Sequence, residues 1–180
     1  MRIISGQHKG RRITAPRQLP VRPTTDMAKE ALFNILQNRF YLEEASVLDL
    51  YAGTGNISYE FASRGCPDIV AVDAHSGCIR FIEDTAKQLQ LPVKAVKRDA
   101  LDFLEHQGTS FDIIFADPPY GQPAADFHRL HELVFGKGLL KENGLLVIEH
   151  SSHTALNNLE HFQESRKYGS SMFSLFMPEA

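Results

Sequence analysis

This 180-residue sequence has no apolar run approaching the roughly 20 residues that a membrane-spanning helix needs. It has only two cysteines, Cys66 and Cys78. That is too few for a disulfide framework, so a reducing compartment is expected, with both as packing residues. Met1-Arg-Ile-Ile-Ser5 has neither the apolar core nor the cleavage site of a secretory signal, so the expectation is a cytoplasmic protein with no membrane partner. Internal repeats and low-complexity tracts are missing too. His128 and His131, like His150 and His153, come without nearby cysteines or a glutamate at metalloprotease spacing, so surface histidines and no metal are expected. Ser5, Ser58 and Ser151 lack the context of a nucleophile elbow. Membrane-spanning, disulfide-rich secreted, zinc-hydrolase and serine-hydrolase classes are thereby set aside.

What is present is the composition of a globular chain, 43% apolar and 23% charged, of a length that suits one domain with a full core. The net charge of −3 conceals an asymmetry. Residues 1–30 carry seven basic side chains (Arg2, Lys9, Arg11, Arg12, Arg17, Arg22, Lys29) against Asp26 and Glu30, a balance of +5. The other 150 residues carry 12 basic and 20 acidic side chains, a balance of −8. A basic leader on an acidic body suits a polyanion that meets the protein at one end.

Taken in order, residues 2–5 and 11–14 are two β-prone runs joined through Gly6 and Gly10, which predicts a basic N-terminal β-hairpin. Residues 15–23, with three prolines, read as an extended linker, placing a boundary between an extension (1–23) and a main domain (24–180). Thr24 or Thr25 can cap a helix whose apolar positions are Met27, Ala31, Leu32, Ile35 and Leu36. From Ser46 onward strands (47–51, 69–73, 93–97, 111–116, 144–149) alternate with helices (57–64, 76–89, 100–106 and one within 126–135). Residues 162–168 and 172–177 then read as a closing hairpin through Gly169. Such alternation specifies an α/β, Rossmann-like doubly wound sheet of seven mostly parallel strands. Phe33, Phe40, Phe61 and Phe81 are expected in its core.

Ligands of open α/β sheets bind beyond the carboxyl ends of the strands. The first strand runs through Asp49 into Tyr51-Ala-Gly-Thr-Gly55, where Gly53 and Gly55 allow close backbone approach. Ser58 stands where a dinucleotide fingerprint would have its third glycine, and Asp49 would repel a pyrophosphate but could face an ammonium group. Asp73 and Ala74 end the second strand, within reach of ribose hydroxyls. Asp99 and Ala100 follow the third, where an acid can meet an adenine amino group. The fourth strand stops at Asp117-Pro-Pro-Tyr120. Pro118 and Pro119 fix an extended turn with no N–H to continue a ladder. It presents a carboxylate, bare carbonyls and an aromatic ring, the parts that hold a planar exocyclic amine and stack on its base. Four consecutive strand ends with a carboxylate suit S-adenosylmethionine.

Residues 47–55, 69–74, 98–100 and 117–120 resemble the successive motifs of class I S-adenosylmethionine-dependent methyltransferases. The Asp-Pro-Pro-Tyr at 117–120 resembles the signature of the branch that methylates exocyclic amines. Arg2-Ile-Ile-Ser-Gly6, Lys9-Gly-Arg-Arg12, residues 21–26, Ala31-Leu-Phe-Asn34, Ser63-Arg-Gly65 and Tyr168-Gly169 are similar to the bacterial family that methylates guanine N2 in small-subunit (16S) ribosomal RNA. The resemblance implies an enzyme converting S-adenosylmethionine to S-adenosylhomocysteine without metal, on rRNA in the small subunit; a monomer is the default expectation. It implies Gly53, Gly55, Tyr51 and Ala52 near the methionine part of the cofactor, and Asp73 with Ala74 on the ribose. Asp99 and Ala100 fall to the adenine, and Asp117 to Tyr120 to the target guanine. Arg2, Lys9, Arg11, Arg12, Arg22 and Thr24 are the expected RNA contacts. The alternatives from the residues alone are an adenine-N6 or cytosine-N4 methyltransferase, and a non-catalytic rRNA-binding assembly factor.

Overall fold

The computed structural model describes residues 1–22 and 24–179. The linker end and domain boundary expected at Pro23, and the last residue Ala180, lie outside the described residues. Seven strands form one sheet in the order β3-β2-β1-β4-β5-β7-β6. They are β1 Ser46–Leu50, β2 Asp68–Asp73, β3 Val93–Lys97, β4 Phe111–Ala116, β5 Leu140–Ser151, β6 Phe162–Tyr168 and β7 Ser171–Phe176. The first five pair in parallel, and β7 enters antiparallel between β5 and β6. The helices are α1 Asp26–Gln37, α2 Asn56–Ser63, α3 Ser76–Leu89, α4 Ala100–His106 and α5 Ala124–Gly136.

The central strands are apolar because both faces are covered. Val47, Ile113, Phe115, Leu145 and Val147 pack with Leu32, Phe33 and Leu36 of α1 and Phe61 of α2. Leu48, Leu50, Ile114, Leu146 and Ile148 face Leu104 of α4 and Leu130 and Val134 of α5. Each such fully buried side chain contributes about 1.5–3 kcal/mol. Phe33 and Phe61 meet edge to face at 4.6 Å, whereas Phe40 and Phe81 are only partly buried. Both cysteines are buried and free, and Cys66 donates to the Ala45 carbonyl at 3.1 Å.

The N-terminal segment departs from expectation. No hairpin of strands forms there; residues 2 and 12 make an isolated antiparallel bridge. The amides of Ile3, Gly10 and Ile13 donate to the carbonyls of Arg11, Ile3 and Met1 beside that bridge, and the segment is otherwise anchored on α2. Glu60 accepts from the amides of Ile4 (2.9 Å) and Ser5 (3.1 Å). Ser63 accepts from the His8 amide through its hydroxyl and from the Gln7 amide through its carbonyl. Gly6 has a φ of +86° and lies so close to the Ser63 carbonyl that a Cβ would stand 1.8 Å from its oxygen. Ile3 and Ile13 are buried with Tyr59 and Ile82.

Two further expectations fail for tertiary reasons. On α1, Met27 is 62% exposed, and Lys29 is fully buried instead. Its ammonium lies 3.4 Å from Glu60 and donates to Asn56 Oδ1 (2.8 Å) and to the Arg2 carbonyl. His131 and His150 are buried rather than on the surface: His131 bonds the Glu160 carbonyl, and His150 bonds Ser174 and the Ser151 carbonyl. Burial lowers the pKa of both rings.

Candidate active site

The carboxyl ends of β1, β2, β4 and β5 open into a cavity of about 760 Å³, within the range of small-ligand sites. Its floor begins with Asp49 on β1, which is 1% exposed and accepts a hydrogen bond from Ser58 Oγ at 2.6 Å. Burial pushes the Asp49 carboxyl up to about 7; Ser58 opposes the shift and the charge of Asp73 adds to it. Beyond β1 the backbone turns sharply, with Tyr51 (φ 59°), Gly53 (φ 57°) and Gly55 (φ 86°) left-handed. At Gly55 a Cβ would meet the Tyr59 ring at 2.6 Å, so glycine is what lets α2 start against Tyr59.

Asp73 locks this turn to β2. One carboxylate oxygen accepts from the Gly53 amide at 2.9 Å and the other from the His75 amide at 2.8 Å. His75 then caps α3, its Nδ1 accepting from the amides of Gly77 and Cys78. Asp99 caps α4 by accepting from the Asp102 amide at 3.0 Å. Asp49, Asp73 and Asp99 thus each already hold a donor. All three line the cavity together with Tyr51, Ala52, Gly53, Ala74 and Ala100.

Along β4 the last rung is the Asp117 amide on the Leu50 carbonyl at 3.4 Å. Pro118 is buried beneath the loop, and Tyr120 stands 69% exposed at its rim. The Arg22 guanidinium lies over the Tyr120 ring, 4.9 Å from its centroid. Ala116 pairs in register with Ile148, so Asp117 and Glu149 are the next positions on adjacent parallel strands. Equivalent positions on neighbouring strands lie about 4.8 Å apart and project to the same face. Burial raises the Asp117 pKa well above the carboxylate range; the charges of Glu149 and Asp49 add to this and Arg22 opposes it. Burial also raises Glu149, which is 7% exposed, against hydrogen bonds from Ser171 and Thr24 and the charge of Arg22. The Thr24 hydroxyl stands 3.5 Å from Glu149 Oε2.

The structure therefore brings together Asp49, Tyr51, Ala52, Gly53, Asp73, Ala74, Asp99, Ala100, the whole 117–120 loop, Arg22 and Thr24. It leaves Gly55 behind the cavity wall as a packing glycine. Arg2, Lys9, Arg11 and Arg12 stand outside the lining. Arg2 pairs with Asp26 at 3.0 Å, and the tight turn bearing Lys9 sits at the Ser63 end of α2, away from the helix end that faces the cavity. Sequence reasoning missed Glu149 and Ser171. Glu149 follows the rule that singles out the other acids, an acid at a carboxyl strand end, and in the sequence it is the last residue of the 144–149 strand.

Residues 1–177 match the protein family described as Conserved hypothetical protein 95. The chain is 32% identical over 150 residues to Ribosomal RNA small subunit methyltransferase D of Escherichia coli K12, covering 83% of this chain and 71% of that protein. It is 35% identical over 161 residues to YlbH of Bacillus subtilis, covering 87% and 85% of the two chains. The solved structure of yhhF from Escherichia coli matches with a TM-score of 0.87 at 25% identity, over 100% of this chain and 98% of that one.

Proposed function

This chain belongs to the Conserved hypothetical protein 95 family, with the small-subunit rRNA methyltransferases D among its relatives, and from that premise we propose that it methylates the exocyclic N2 of a guanine in 16S rRNA, using S-adenosylmethionine. Its seven-stranded sheet is the class I methyltransferase fold. The observation that carries the reading is that the Asp117-Pro118-Pro119-Tyr120 loop opens into the same cavity as the carboxylates of Asp49, Asp73 and Asp99.

The donor set fits the cofactor. Asp73 keeps a free lone pair on each oxygen for ribose hydroxyls while two amides hold it in place. Asp99 and Ala100 flank the adenine position, and Asp49 lies deepest, where it can face the ammonium group. When bound, S-adenosylmethionine supplies an electrophilic methyl group on a sulfonium sulfur. The Asp117 carboxylate and the Pro118 carbonyl each accept one N2–H of the guanine, turning the nitrogen lone pair toward the methyl carbon. Once methylated, N2 would have one proton to release. In its ionised form the Asp117 carboxylate, the acceptor of one N2–H, would be placed to take it. Tyr120 stacks on the base.

Arg22 and Thr24 at the rim, and the basic surface of Arg2, Lys9, Arg11 and Arg12, engage RNA phosphates. The enzyme acts as a cytoplasmic monomer. No helix among the described residues is long and apolar enough to cross a membrane. The test is transfer of labelled methyl to small subunits, followed by digestion to nucleosides. N2-methylguanosine is expected; N6-methyladenosine or N4-methylcytidine would reassign the target, and no transfer would leave a binding protein.

A further inference from the structure

We propose that Glu149 is the specificity-determining residue for guanine, its carboxylate accepting the N1–H of the target base while Asp117 accepts an N2–H. The inference rests on the guanine-N2 reading above.

It starts from which acids still lack a donor. Asp49 is bonded to Ser58, Asp73 to two backbone amides, and Asp99 to the amide of its own helix. Among the described residues no group donates to the Asp117 carboxylate, and the Thr24 hydroxyl stands at a long 3.5 Å from Glu149 Oε2. Asp117 directly follows β4 and Glu149 stands on β5, each one position beyond the registered Ala116–Ile148 pair, and both line the cavity. Two adjacent carboxylates facing one cavity repel each other and disfavour ionisation. A ligand presenting two adjacent N–H donors relieves that repulsion, whereas one presenting an acceptor aggravates it.

Guanine is the nucleobase with that pattern next to an exocyclic amine. Its N1–H and N2–H lie side by side on the Watson–Crick edge. Adenine N1 and cytosine N3, the ring nitrogens beside their exocyclic amines, are acceptors whose lone pairs would point at Glu149. A site with buried acceptors rejects a base lacking the matching donor, because its polar groups are then left unpaired. Glu149 thereby separates guanine from the bases that an Asp-Pro-Pro-Tyr loop alone would also admit.

The test compares guanosine with 2-aminopurine at the target position. 2-Aminopurine keeps the N2 amine and replaces N1–H with an acceptor. The target is first mapped with wild-type enzyme on small subunits, and the analogue is then placed there by ligation in reconstituted subunits. Single-turnover rates are measured for wild type, Glu149→Ala and Glu149→Gln at saturating cofactor, with cofactor affinity as the check on folding. Wild type is expected to prefer guanosine. Glu149→Ala is expected to lose about 10- to 100-fold on guanosine, the range for a hydrogen bond to a charged group, and little on 2-aminopurine. Glu149→Gln, whose amide can donate to the analogue's N1, should shift the preference further. The Glu149 carboxylate, ionised when it accepts N1–H, has no donor to offer position 6, so this coupling reports on N1. Equal losses on both bases, or an undiminished preference for guanosine in both variants, would overturn the role. Absence of N2-methylguanosine with wild type would overturn the function itself, and this inference with it.

Discussion

Removing the Glu60 carboxylate should loosen the N-terminal segment and destabilise the whole fold. Glu60 is fully buried and meets four partners: the Lys29 ammonium at 3.4 Å, Arg64 Nε at 2.9 Å, and the amides of Ile4 and Ser5. Glu60→Ala leaves a buried ammonium without its paired carboxylate and two amides without an acceptor. Breaking a buried ion pair from one side costs about 3–5 kcal/mol. For a chain of this size each 1 kcal/mol lowers Tm by about 2–4 °C, so the melting temperature should fall by roughly 6–20 °C. Burial already lowers the Lys29 pKa, and Glu60 is the main influence holding it up, so part of the loss will be relieved by deprotonation of Lys29. Thermal unfolding gives the shift, and hydrogen exchange at Ile4 and Ser5 localises it. A Tm within about 1 °C of wild type, or unchanged exchange at those two amides, would refute the reasoning.

Asp49, pushed up to about 7 from 3.8, holds a proton in the fold that the unfolded chain has released. Its contribution to stability therefore falls as pH rises from about 4 to about 7 and is level above. Cofactor affinity runs the other way: calorimetry should show binding tighten by about eightfold between about pH 6 and 7.5 in wild type, and stay flat in Asp49→Asn. Asp73→Ala should weaken cofactor binding by about 1–3 kcal/mol through unpaired hydroxyls and the freed Gly53 and His75 amides; unchanged affinity would contradict the ribose assignment. Neutralising Arg11 and Arg12 should leave cofactor affinity intact and reduce the log–log salt slope of RNA binding by roughly 0.7–0.9 per lost phosphate contact. An unaltered slope would place the RNA elsewhere.

The sheet was legible because its central strands are buried on both faces and its helices are periodic, signals local to each segment. Two of the acids at the strand ends were legible for the same reason, since Asp73 and Asp117 each terminate an apolar run, and Asp99 was legible as the residue between the third strand and the next helix. What escaped depends on contacts between distant segments. Residues 2–5 and 11–14 carry a hairpin pattern, and Ile3 and Ile13 do bond across it, but the amides of Ile4 and Ser5 go to Glu60 and those of Gln7 and His8 to Ser63, both on α2, and one bridge forms. Lys29 takes a core position because Glu60 and Asn56 meet it across the helix interface; by periodicity a lysine belongs outside. Glu149 acquires meaning only when β5 is laid beside β4 with Ile148 opposite Ala116. Nothing within 144–149 announces that neighbour.

The central claim is that the 117–120 loop presents a guanine amine to a bound methyl donor, and Asp117→Ala tests it most directly. Pro118 and Pro119 impose the turn, so the variant should keep its fold and its affinity for S-adenosylhomocysteine. Single-turnover transfer to small subunits at saturating cofactor should fall by about 100-fold or more, because an orienting acceptor and the proton's destination are both lost. Asp117→Asn should fall between the two. The digested wild-type product should be N2-methylguanosine. Full activity in Asp117→Ala, or a different methylated nucleoside from wild type, would contradict the account.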